Sequence, residues 1–87
     1  MEKNRVLALI GQAGDAIVSI RKEPEAVAVT IDFKNKYIRS KGKRPWPGKS
    51  GKVVVFSWTD NRYRLLEPAD IQKITPLSTI LRNFTNG

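Results

Sequence analysis

The side chains best suited to chemistry lie between Lys34 and Lys52, where eight Lys or Arg residues occur without one Asp or Glu. They are Lys34, Lys36, Arg39, Lys41, Lys43, Arg44, Lys49 and Lys52. The whole chain holds 16 basic and eight acidic residues, so this segment carries all of the formal +8 excess. Concentrated charge sets up a directional field that gathers polyanions, whereas scattered charge bears mainly on solubility. Tyr37 and Trp46 stand among the cations as planar faces for bases. Gly42, Gly48 and Gly51 allow backbone amides to approach phosphate. The chemistry implied is electrostatic binding of a phosphate chain, with stacking on exposed bases.

Lysines neutralise phosphate in many orientations, while Arg39 and Arg44 can also grip it with two parallel N–H groups or stack on a base. Neutralising roughly five to eight phosphates gives a log–log salt slope of about −4 to −7 on duplex DNA, and less on single strands. No base code follows, because phosphate contacts carry none. Trp46, between Pro45 and Pro47, has two readings: a stacking platform, or a plug folded back over an open end of the fold. Tyr37 leans towards a structural role. Arg62 and Arg64 are expected on one strand face, where they can extend the basic surface or form an ordinary solvated sheet face.

Other chemistry is poorly served. With no cysteine and no histidine, the chain lacks thiolate ligands, the commonest metal ligand and the usual base near neutral pH. The carboxylates Asp15, Asp32, Asp60, Glu67 and Asp70 are dispersed, so no metal site, cofactor or catalytic group is expected. Gly48-Lys49-Ser50 lacks the earlier glycine of a phosphate-binding P-loop, since Lys43 occupies that position. Gly11-Gln12-Ala13-Gly14 is likewise incomplete as a dinucleotide fingerprint. A small ribonuclease can in principle work without histidine, but no set of Lys, Arg, Tyr and Glu converges in the sequence.

These side chains need a scaffold, and 87 residues with 40% hydrophobic content suffice for one small domain over 1–87. The clearest strand is Ala26 to Phe33, where Val27, Val29, Ile31 and Phe33 alternate with smaller or polar residues. Asp15 to Arg21 is its expected partner. Lys52 to Leu66 reads as a hairpin turning at Asp60-Asn61, which pairs Trp58 with Tyr63 and Phe56 with Leu65. In that register Val54, Phe56, Trp58, Tyr63 and Leu65 share the apolar face.

Segment 34–52 between these units reads as a Pro- and Gly-containing loop, with Tyr37 and Ile38 extending the preceding strand. Glu67 to Asp70 suggests a tight or helical turn. Thr75 and Pro76 then read as the start of a short helix over 76–84, with Leu77, Ile80, Leu81 and Phe84 along one face. The N-terminal stretch fits either a helical stripe or a strand at Val6–Ile10. Gly11 and Gly14 tilt the choice to strand, turn, strand.

The stretch GKVVVFSWTDNRYRLLEPADI loosely resembles the later half of SH3-like modules, where two strands and a tight turn lead into a short helical turn. The resemblance covers about a quarter of the chain. The expected fold is therefore mainly β: a small antiparallel sheet or an SH3-like or OB-like barrel with a short C-terminal helix. The expected function is non-enzymatic nucleic-acid binding, with single-stranded DNA or RNA favoured over duplex. The rival is an assembly subunit whose basic loop docks on an acidic protein partner. No apolar run approaches the roughly 20 residues that span a bilayer, and no export signal is visible, so a cytoplasmic protein is expected.

Overall fold

A helix opens the chain where a strand was expected. The computed structural model describes residues 1–80 and forms α1 over Lys3–Ala13. Val6 and Ile10 lie one turn apart on α1 and are both fully buried. Burying such a side chain is worth about 1.5–3 kcal/mol, which outweighs the cost of roughly 1 kcal/mol for Gly11 within a helix. Gly14 ends α1 at φ 77°, donating its N–H to the Ile10 carbonyl at 3.0 Å. Glycine meets that positive φ without steric cost. The N-terminal glycines thus mark a helix and its stop.

Directly after this stop comes β1, Asp15–Ile20, paired antiparallel with β2, Val27–Thr30. Ala16, Val18, Ile20, Val27 and Val29 are buried on one face, as the alternation required. β2 ends before Phe33 because Thr30 turns inward. Its hydroxyl donates to the Gly14 carbonyl at 2.8 Å and accepts the Asp32 N–H at 3.1 Å, which diverts the backbone from the ladder. Tyr37 and Ile38 then lie in α2, Lys36–Arg39, rather than in a strand extension. The Asn35 side chain caps this turn, accepting the N–H groups of Tyr37 at 2.8 Å and Ile38 at 3.4 Å.

The later hairpin comprises β3, Val53–Ser57, and β4, Arg62–Leu66. Its register differs by two residues from expectation: Ser57 faces Arg62 and Phe56 faces Tyr63. Trp58 and Thr59 stay with β2 instead. The Trp58 N–H donates to the Ala28 carbonyl at 2.7 Å, and Thr59 Oγ1 accepts the Ala28 N–H at 2.9 Å. The turn therefore spans four residues, with Asn61 at φ 57°. A shift of two preserves the side-chain faces, since the strand period is two. Both faces of β3 are covered, however, for Val53, Val55 and Leu66 join the core under α1 on the face expected to be polar.

A 3-10 turn at Pro68–Asp70 leads into β5, Ile71–Pro76, which pairs with β1. The sheet is antiparallel throughout, in the order β4-β3-β2-β1-β5 with β4 and β5 at its edges among the described residues, so it is an open sheet rather than a closed barrel. β5 was hidden in the sequence by a bulge. Ser19 faces Lys73 while Ile20 faces Ile71, so Gln72 is extra and Ile71 and Ile74, three apart, share a face. Thr75 and Pro76 complete this strand, and helix begins at 77–80. Leu81 and Phe84 of the expected helix lie outside the described residues.

Candidate nucleic-acid interface

The first half of the basic segment is fastened to the sheet face opposite α1. Phe56, fully buried, meets the rings of Trp58 and Tyr63 edge-on, with centroids at 5.2 and 5.5 Å. Tyr37 lies nearly parallel to Trp58 at 6.1 Å, and Phe33 meets Tyr63 at 6.1 Å. Hydrogen bonds lock the group: the Tyr37 hydroxyl donates to Asn61 Oδ1 at 2.6 Å, and the Tyr63 hydroxyl donates to the Ile38 carbonyl at 3.3 Å. The Trp58 indole N–H donates to Asp15 Oδ1 at 2.9 Å. Ile38 itself is fully buried. Tyr37 and Trp58 are therefore structural rings, although Tyr37 keeps an outer face over which Lys41 Nζ sits at 4.8 Å.

From this base the segment frames two adjoining clefts. One, of about 400 Å3, is lined by Lys34, Arg39, Gly42 and Arg44 around the rings of Phe33 and Tyr63. The other, of about 350 Å3, is mainly apolar: Pro45, Trp46 and Pro47 face Leu7, Val53 and Val54, with Lys3 and Lys52 at its margin. Phe33 and Arg44 belong to both clefts, and the Arg44 guanidinium carbon lies 4.7 Å from the centre of the Phe33 ring. Trp46 is 88% exposed, so it projects from the segment and is not a plug. Lys36, Lys41, Lys43 and Lys49 are exposed and line neither cleft.

Charge pairing divides the expected site residues. The eight cations of 34–52 are exposed, and among the described residues none has a carboxylate oxygen within 4.0 Å. Arg64 differs sharply, since its guanidinium reaches Glu23 at 2.8 Å and Asp60 at 3.2 Å and is only 18% exposed. It ties the β1–β2 connection to the β3–β4 turn and does not extend the basic surface. Donation of its N–H groups to the Glu23 carboxylate raises the Arg64 pKa further, helped by the charges of Glu23 and Asp60 and opposed by partial burial. Asp60 is held below its ordinary value by the Ser57 hydroxyl, with help from Arg64 and Arg62. Arg62 is exposed but lines neither cleft.

Sequence reasoning missed Phe33, Tyr63, Lys3 and Leu7 as parts of the site. The first two read as core strand residues. The latter two come into place only because α1 is a helix. Among the described residues, no three carboxylates gather as metal ligands, and no helix is long and apolar enough to cross a membrane. Comparison with known protein families, curated proteins and solved structures gives no match for this chain.

Proposed function

We propose that the protein is a non-enzymatic nucleic-acid-binding module that holds single-stranded DNA or RNA with little sequence specificity. One observation carries this reading: the segment 34–52 presents eight exposed cations, without a carboxylate partner among the described residues, together with the exposed ring of Trp46. Unpaired cations in water release a polyanion's counterions without first breaking ion pairs, so their charge is free for phosphate. Single strands are favoured because their unstacked bases can reach Trp46 and the apolar cleft beside it. The strand order, with a 3-10 turn leading into the strand that returns beside β1, supports an SH3-like scaffold for this site. A cytoplasmic setting accompanies the proposal.

The test is a tryptophan fluorescence titration with single-stranded DNA, duplex DNA and RNA in about 150 mM salt. Quenching is expected to be strongest with single strands, to vanish in Trp46→Phe and to survive in Trp58→Phe, whose indole is already held by Asp15. A flat response to every nucleic acid defeats the proposal and favours an acidic protein partner for the same segment.

A further inference from the structure

We propose that the paired clefts take one nucleotide bearing a terminal phosphate, so that the protein prefers phosphorylated strand ends to hydroxyl ends. This rests on the nucleic-acid reading above and narrows it to a ligand class. The two clefts meet at Arg44 and Phe33 and differ in balance: Lys34, Arg39 and Arg44 gather in one, while the other is mainly apolar around Trp46, with Lys3 and Lys52 also in its lining. A ligand filling both has a flat, largely apolar ring joined over a short distance to a compact anion. Nucleotides have that form. Arg44 and Trp46 stand two residues apart in sequence, so their Cα atoms are separated by at most about 7 Å, the scale of a single nucleotide.

The preference for a terminal phosphate follows from charge. Lys34, Arg39 and Arg44 line a single cleft with no carboxylate within 4.0 Å among the described residues. Three neighbouring cations repel one another, and an anion of higher charge relieves that repulsion more fully. An internal phosphodiester brings one negative charge, whereas a phosphomonoester brings roughly 1.5 to 2 near neutral pH and three acceptor oxygens. Two of the three cations are arginines, whose planar forks suit paired phosphate oxygens. The base of the same nucleotide lies against Trp46 and the prolines, covering an indole otherwise left in water.

The chemistry fits a 5′- or a 3′-phosphate, so both enter the test. Isothermal titration in about 150 mM salt compares oligothymidylates of equal length carrying a 5′-phosphate, a 3′-phosphate or hydroxyls at both ends. One phosphorylated form is expected to bind about tenfold or more tightly than the hydroxyl form. Arg39→Ala and Lys34→Ala each reduce that ratio to less than about threefold, while Lys73→Ala, a charge removed from β5, preserves it. Thermal melts confirm that each variant is folded. Equal affinities for all three oligonucleotides overturn the terminal-phosphate inference and leave nucleic-acid binding standing. Failure of every oligonucleotide to bind overturns both.

Discussion

Arg64 on β4 and the cations of the Lys34–Lys52 segment belong to the same small sheet domain, but they occupy opposite electrostatic states. Arg64 is half-buried and doubly paired, while the segment's cations are exposed and have no carboxylate within 4.0 Å among the described residues. Equal formal charge thus does unequal work. The paired arginine holds two connections together, whereas the unpaired group leaves its field free for a ligand. The contrast also shows that the segment is no loose tail. Ile38 and Tyr37 fasten its first half to the aromatic face, and Arg44 rests over Phe33.

The largest expected effect comes from loosening that attachment. Ile38→Ala should cost about 2–5 kcal/mol of stability, read by urea unfolding, because it leaves a cavity under α2. Unchanged stability would mean that the segment is not fastened to the sheet. Replacing Lys34, Arg39 and Arg44 together with alanine should weaken single-strand binding on the order of 100-fold in a filter-binding or calorimetric assay. Its stability should fall by no more than about 1 kcal/mol, the share of the exposed Arg44–Phe33 contact. Trp46→Ala should remove roughly 1–3 kcal/mol of binding and leave the melting curve unmoved, as befits an exposed platform.

Arg64→Ala sharpens the comparison from the other side. It should cost about 1 kcal/mol of stability, since its partners Glu23 and Asp60 are only partly buried, and leave nucleic-acid affinity nearly unchanged. A large binding loss with normal stability would return Arg64 to the interface. The smallest effect is a pH dependence at Asp60, whose pKa is lowered in the folded state, first by Ser57. Its contribution is complete above the unfolded pKa of about 3.9 and is lost as pH falls through the lower folded value. Unfolding of the parent and Asp60→Asn at pH 6 and pH 3 should therefore converge in acid, by a few tenths of a kcal/mol.

Local regularity decided what was legible beforehand. β1, β2 and the β3–β4 hairpin announced themselves through alternation, and the turn at Glu67–Asp70 through its proline. α1 was obscured because Gly11 argues against a helix while its compensation, burial of Val6 and Ile10, is tertiary. β5 escaped because one bulged residue breaks the period of two. The hairpin register failed for a related reason: the hydrogen bonds of Trp58 and Thr59 to Ala28 come from a strand distant in sequence. In the site, the concentration of charge was visible, but Arg64's partner Glu23 lies 41 residues away and the contact of Arg44 with the Phe33 ring forms only in the folded chain. Pairing in space, not spacing along the chain, separates Arg64 from the cations of 34–52, which have no carboxylate partner among the described residues.

The proposed nucleic-acid binding requires that the cations of 34–52, which have no carboxylate partner among the described residues, together grip a phosphate chain. Its most direct test is the affinity for a single-stranded oligonucleotide measured across salt concentrations. For roughly five to eight neutralised phosphates, log affinity should fall against log salt with a slope of about −3 to −6. A slope near zero, or no binding in about 150 mM salt, would contradict it.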